Sequence, residues 1–463
     1  MRLWFGLGLI EVSLLIAFAW IPEAHRFPWP GLLLLGMAFA AYAAAAGLVI
    51  RERTGDSTVT LGGAGPSPRQ LTWGLAVVVR LGLLLLAPEL SDDVNRYLWD
   101  GHIQAAGVNP YTYAPDAVEL SELRTGYHEA INNPSVSTIY PPAAQLVFLL
   151  IALAGSSVFV MKAVWIGCDL ATAWVLARTV RDRGGDEMPV LLLWLWSPLL
   201  LVEVAWSGHL ESLGLLALAL GIRFAGQGRV GAVPAGVALG IAALTKFAPA
   251  AALPALVRRQ GLPAALSFLA TVILLYLPYA SAGQALFTGL RTYSEHWWFM
   301  KGAFGVLEWI AGDPINARRL AAVIVLCVIG WTAWKAMELD RALLWILGTG
   351  MMFTPTLHPW YVLWMLPMAV LRQSRPWLLL SGLAFTGYFG LGSYQDTGEW
   401  AQPLLARAVL WLPFFALMLY EAWATRSSQP HEGTSQRGHA KRHVAGQEEE
   451  NEGDLPPVRT PDR

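Results

Sequence analysis

The sequence predicts an all-α polytopic membrane protein, a bundle of about 11–14 transmembrane helices, and three observations carry that prediction. Of 463 residues, 55% are hydrophobic and only 14% charged, more apolar side chain than one water-soluble core can hide. The apolar residues are gathered into runs close to the ~20 residues that a helix needs to cross hydrocarbon. Arginines cluster in the short segments between runs, the signature of cytoplasmic loops.

Taken in order, the runs are 3–21, 31–50, 71–88, 158–180, 188–206, 209–225, 262–280, 317–337, 341–356, 376–394 and 402–424, with shorter ones at 141–155, 231–257 and 359–371. The first is followed by Pro22, Glu23 and His25 without a small-residue cleavage pattern, so it is expected to be retained as a helix. Glu11 lies inside it with no partner visible in sequence. Arg51, Arg53 and Arg69, then Arg178, Arg181 and Arg183, then Arg223 and Arg229, Arg258 and Arg259, and Arg372 and Arg375 are expected on the cytoplasmic side. The segment after Pro88 is then external, and only one crossing fits between it and Arg178. The run 141–155, opened by Tyr140-Pro141-Pro142, is therefore expected to lie on the outer face as a juxtamembrane or re-entrant helix. The same parity makes 231–257 a bent hairpin with Lys246 near its outer turn. Residues 1–70 form two leading spans and a loop, 71–424 the main membrane domain whose first outer loop is 89–157, and 425–463 a polar tail expected to be disordered and cytoplasmic. No internal repeat is evident.

Several functions are excluded at this level. A net charge of -1, with basic residues spread between spans, gives no face for nucleic acid. Cys168 and Cys327 fall in apolar runs, which supports neither a disulfide framework nor a metal-ligand spacing.

Four polar, aromatic-rich segments converge on the expected outer side: 89–140, the turn 207–211, 281–316 and the turn 356–361. The first opens with Asp92 and Asp93, followed by Arg96 and Asp100. One acid at a helix start is explained by capping. Two acids at a bilayer edge, beside a guanidinium, fit proton abstraction, cation binding or phosphate recognition. Lys246 sits in a run of Ala, Leu, Phe and Pro, where an unpaired ammonium is costly, so it either meets an anion or snorkels to the interface. His209 with Glu211, His296 with Glu295, and His358 with Trp360 are further candidates for substrate contact, each with a solvated turn or an interfacial aromatic belt as the plainer reading.

Asp92-Asp93-Val94-Asn95-Arg96-Tyr97, then Gly107-Val108-Asn109-Pro110-Tyr111 and Tyr140-Pro141-Pro142, resembles the first outer loop of the GT-C superfamily of integral-membrane glycosyltransferases. Ser207-Gly208-His209-Leu210-Glu211, Leu244-Thr245-Lys246-Phe247-Ala248-Pro249 and His358-Pro359-Trp360-Tyr361 are similar to later landmarks of the bacterial polyprenol-phosphate-mannose-dependent mannosyltransferase branch, which is related to the glycosylphosphatidylinositol mannosyltransferases. The likeness covers most of 71–424.

The resemblance implies inverting transfer of a hexose, mannose by branch, from a polyprenyl-phosphate sugar to a glycan or glycolipid acceptor at the outer face of a bacterial cytoplasmic membrane. It implies Asp93 as general base with Asp92 beside it, Arg96, Lys246 and His358 at the phosphate, and Tyr97, Asp100, Asn109, Tyr111, Tyr140, His209, Glu211, His296 and Trp360 as substrate contacts. Asp92 and Asp93 are equally suited to hold Mg or Mn, and the choice between a cation site and a base with an anchoring neighbour stays open. Glu211 stands where the pattern has Asp, and two spans precede the catalytic one where many members have one. The rival functions are a transporter or lipid flippase, whose acids belong at mid-membrane, a polymerase or ligase of lipid-linked glycans, and a membrane scaffold, which gives the clustered acids no task.

Overall fold

The computed structural model describes residues 3–21, 28–54 and 66–427. Pro22, Glu23, His25, most of the expected tail and the side chain of Arg53 lie outside the described residues. The chain divides into two units, Met1–Phe414 and Phe415–Arg463. In the second, the described part is the end of the helix Leu404–Ser427.

The described residues of the first unit are mostly helical. Among the described residues the only β-pairing is an isolated bridge between Phe299 and Thr356. Among the described residues, six helices are long and apolar enough to cross a membrane: Leu3–Trp20, Trp29–Glu52, Val158–Asp182, Leu262–His296, Pro314–Trp334 and Leu404–Ser427. The pair Glu187–Leu195 and Pro198–Trp206, bent by 42°, makes a seventh if it is one span.

The remaining apolar runs fold as shorter or broken helices. Pro68–Leu84, Glu211–Ala225 and Leu339–Met352 are continuous but short, and 376–394 divides into Arg375–Leu383, a 3-10 stretch Ala384–Gly390 and Leu391–Thr397. Irregular backbone is tolerated at membrane depth where protein, not lipid, surrounds it. Leu191 to Trp196 are all nearly inaccessible, and Ser197-Pro198 breaks the helix there. The short run near 141–155 is the twelve-residue helix Pro142–Leu153, with Pro142 at its first position. The 231–257 run is a bent pair: Ala232–Ala243 ends at Leu244, and the chain restarts through a 3-10 turn into Leu253–Gln260.

Two ends can be told apart along the Val158–Asp182 helix, whose 25 residues span about 37 Å. Near its start, Lys162 donates to the carbonyls of Leu83 (2.7 Å) and Leu86 (2.6 Å), and Trp206 donates to Ala87 (2.7 Å). These bonds close the last turn of Pro68–Leu84 just before the Asp92 loop. At its far end the arginine loops gather. Arg183 meets Asp340 at 2.9 Å, Arg372 reaches the same carboxylate at 3.1 Å, Arg223 meets Asp182, and Arg69 and Arg181 share Glu187. Loops expected on one side of the membrane therefore do share one end, opposite the acidic loop. A cavity of about 450 Å³ at that end is lined by arginines at helix C-termini, which complement the helix dipoles.

The leading helices pack on the broken pair. Gly8 lets the Trp196 ring approach, since a β-carbon there would stand 2.3 Å from a ring atom, and Tyr42 donates to the Leu193 carbonyl at 2.8 Å. Inside this packing Arg80 and Asp169 form a buried ion pair at 2.6 Å, with Trp194 donating to Asp169 at 2.8 Å. Glu11 is buried within reach of the Arg80 charge.

Candidate active site

The acidic loop becomes a helix, Asp93–Ala105, packed hard against Pro142–Leu153: a β-carbon on Gly101 would come within 2.3 Å of the Phe148 carbonyl oxygen. Trp99 and Ile103, on its inner face, cluster with Leu120 and Ile131. Burying Ile131 brings the next residue, Asn132, over the helix start. Its amide donates to both acids, at 2.5 Å to Asp92 Oδ1 and 2.8 Å to Asp93 Oδ1. Asp92 also accepts from the Tyr394 hydroxyl at 3.1 Å. Although Asp92 occupies the cap position, its side chain makes no cap bond. The plain capping explanation fails, and the carboxylates face a cavity of about 700 Å³.

Burial pushes the Asp93 carboxyl up to about 6, helped by the Asp92 charge and opposed by the Asn132 amide. Asp92 is also raised by burial, with the Asn132 and Tyr394 bonds working against it. A carboxylate near 6 suits a general base at neutral pH, being ionised yet basic enough to take a hydroxyl proton.

Beneath the acids lies a buried cluster. His209 Nδ1 stands 3.7 Å from Asp93 Oδ2, and its Nε2 3.4 Å from Glu203 Oε2. Glu203 accepts from the Tyr388 hydroxyl at 2.8 Å and comes from a π-helical turn, Leu201–Trp206. A left-handed Gly208 (φ 77°) then reverses the chain into His209. A column of stacked rings runs from the cavity wall to this cluster: Phe299 on His358 (4.7 Å), His358 on Trp360 (4.5 Å) and Trp360 on His209 (4.1 Å). Burial holds the His358 imidazole down to about 3, with the Lys246 charge adding to the effect. Lys246 is paired with Glu211 and sits 4.1 Å above the Tyr361 ring. Ala143 N–H bonds the Leu244 carbonyl at 3.0 Å, fixing the break that carries Lys246 to the outer-loop helix.

Of the residues singled out in sequence, Asp92, Asp93, Arg96, Tyr97, Tyr140, Lys246, His296, His358 and Trp360 line this one cavity. His209 and Glu211 lie just beneath it, behind Asp93 and Lys246. Asp100, Asn109 and Tyr111 are outside the lining and bound elsewhere. Asp100 holds Arg96 (2.8 Å) and Gln145 (2.8 Å). Asn109 donates to Ser281 and to the Tyr279 carbonyl, and Tyr111 to the Tyr140 carbonyl. All three hold the outer loop in shape. Arg96, tied to Asp100 and to the Val136 carbonyl, presents only part of its guanidinium to the cavity.

Sequence reading passed over Asn132, Glu203, Tyr388 and Tyr394. Glu203 had a signal, an acid inside an apolar run, as did Arg80, Lys162 and Asp169. Asn132 and Tyr394 had none.

The Asn132 amide occupies Oδ1 of both Asp92 and Asp93, so a divalent cation there would share those oxygens with it or bind through Oδ2. Among the described residues, no three His, Cys, Asp or Glu side chains converge as a ligand set.

This carboxylate helix, the broken helix bearing Glu203 with the turn bearing His209, and the bend bearing Lys246 all fall within residues 11–259, which match the family model described as alpha-(1->6)-mannopyranosyltransferase, N-terminal domain. The chain belongs to that family. The match begins inside the first helix, so it takes in the second half of that helix and all of the second. One relative, alpha-(1->6)-mannopyranosyltransferase A of Mycobacterium tuberculosis, is 24% identical over 427 residues, covering 80% of this chain and 73% of its own length. No solved structure matches. The protein is a GT-C-type, all-α integral-membrane glycosyltransferase.

Proposed function

We propose that this chain transfers mannose from a polyprenyl-phosphate donor to a primary hydroxyl of a mannose-containing glycan on the outer membrane face, forming an α-(1→6) bond with inversion. The observation that carries the reading is a raised carboxylate, Asp93, opening on a cavity that also presents a lysine and an aromatic wall. The family and the relative's name support the sugar and linkage.

In this reading the acceptor oxygen attacks the anomeric carbon as Asp93 Oδ2 takes its proton, and the bond from that carbon to the phosphate oxygen breaks. Inversion to an α product requires a β-linked donor. Lipid phosphate is a competent leaving group, so positioning, a base and a cation near the departing oxygen supply most of what is needed. Lys246 is the cation best placed, with the exposed part of Arg96 second. His358, held neutral, serves as a hydrogen-bonding wall. The stacked aromatics provide flat apolar faces for sugar rings. The acidic loop lies opposite the arginine-rich end, which supports the outer-face placement. In this reading the step runs through Asp93 alone, without a metal.

The test is transfer of labelled mannose by purified protein from polyprenyl-phosphate mannose, with a nucleoside-diphosphate mannose in a parallel arm, both with and without chelator. Transfer from the lipid donor alone, unaffected by chelator and yielding a 1,6-linked product, is expected. Transfer only from the nucleotide sugar, or loss with chelator restored by Mg or Mn, refutes the donor and the metal-free step respectively.

A further inference from the structure

The cluster beneath Asp93 is more elaborate than support of a backbone turn requires. His209 is completely buried, and neither ring nitrogen has a hydrogen-bond partner among the described residues, an arrangement that costs stability unless something uses it. Both nitrogens are aimed at carboxylates, Nδ1 at Asp93 and Nε2 at Glu203, at distances just too long for hydrogen bonds. Catalytic contacts of this kind are often long before substrate binds and tighten afterwards. Glu203 is itself held by Tyr388, whose hydroxyl lies within 2.9 Å of both carboxylate oxygens. A π-helical turn, rare in general and frequent at functional sites, supplies it.

Resting on the reading of Asp93 as base, we infer that Glu203 is a positioning residue: it accepts His209 Nε2–H and thereby leaves Nδ1 as a bare acceptor for the proton that Asp93 acquires. The acceptor O–H bond breaks, an Asp93 Oδ2–H bond forms, and that new hydroxyl donates to Nδ1. His209 stays neutral and no further bond changes. The hydrogen bond exists only once Asp93 is protonated, so it stabilises the transition state and the product over the ground state, the condition for raising kcat. The partner of one imidazole nitrogen fixes what the other can do.

The charged and titratable groups around His209 are Asp93, Glu203, Lys246 and His358, with Glu211 acting on both carboxylates. Glu203→Gln leaves the other four unchanged and keeps an oxygen for Tyr388. The glutamine amide then donates to Nε2, which moves the ring proton to Nδ1, where it stabilises ionised Asp93 and weakens the base. The expected result is a loss of kcat of about tenfold or more at constant KM for the lipid donor, and an acid limb of kcat/KM displaced to lower pH. A purely structural Glu203 reduces the active fraction and leaves that limb in place. Full kcat, or an unmoved or upward-shifted limb, overturns the inference. If Glu203→Gln does not fold, Tyr388→Phe carries the test with the same direction and smaller size. Asp93→Asn is run alongside: full transfer by that variant refutes the base itself, whereas its loss together with a normal Glu203→Gln refutes only the positioning role.

Discussion

Asp93→Asn should remove activity and strengthen the protein at once. The Asp93 side chain is only 17% exposed, and its carboxyl titrates near 6 instead of the ordinary 3.8. The native state therefore holds this charge at a cost of roughly two pK units, about 3 kcal/mol at pH 7.5, reduced toward 1 kcal/mol by water reaching the open cavity. Because the folded pKa is raised, the penalty is full above pH 6, shrinks as pH falls toward 3.8, and is gone below it. Asparagine keeps the oxygen that accepts from Asn132 and removes the charge. Thermal unfolding in detergent, followed for parent and variant from pH 4 to 8, should show the variant more stable by about 1–3 kcal/mol at pH 7.5, with the gap closing by about pH 4. Mannosyl transfer should fall by about 10²–10⁴, the usual contribution of a general base. A variant no more stable than its parent at pH 7.5, or one that still transfers, refutes the reasoning that burial has raised a functional carboxylate.

Two further outcomes follow from the same geometry. Asn132→Ala deletes the bonds that favour ionised Asp92 and Asp93, so the acid limb of the parent's pH–rate profile, expected near pH 6, should move upward by about 0.5–1 unit, read from kcat/KM. Lys246→Met leaves buried Glu211 unpaired and should cost about 3 kcal/mol in unfolding, most of which Glu211→Gln in the same chain should restore while donor affinity stays weak, as measured by KM for the lipid donor.

Much of this protein was legible in one dimension. Composition and run length are enough to require a helical membrane bundle, because hydrocarbon leaves the backbone no other open-ended way to satisfy its polar groups. The arginine loops sort to one end, and the Asp92-Asp93 loop to the other, from charge counting alone. Nine of the candidate residues reach one cavity because motifs at span ends on the same side are brought together by the bundle itself. Lys246 was readable as a cation that either meets an anion or snorkels to the interface, and in the fold it pairs with Glu211.

The rest depended on contacts between segments far apart in sequence. Glu11, partnerless on paper, proves to be buried within reach of the Arg80 charge. Asp100, Asn109 and Tyr111 belong to the same motifs as Asp93, yet the fold spends their polar groups on shaping the loop, and local sequence cannot tell which way a side chain on a packed helix is used. Asn132 comes from the far end of the acids' own loop, and Glu203, Tyr388 and Tyr394 from two further segments; they lie 39 to 302 residues from the acids and meet them only after packing. Sequence determines the solvent each segment must face; tertiary packing decides which polar groups share one buried space, and with it the proton affinity of Asp93, since burial and neighbouring charge are properties of an assembled site.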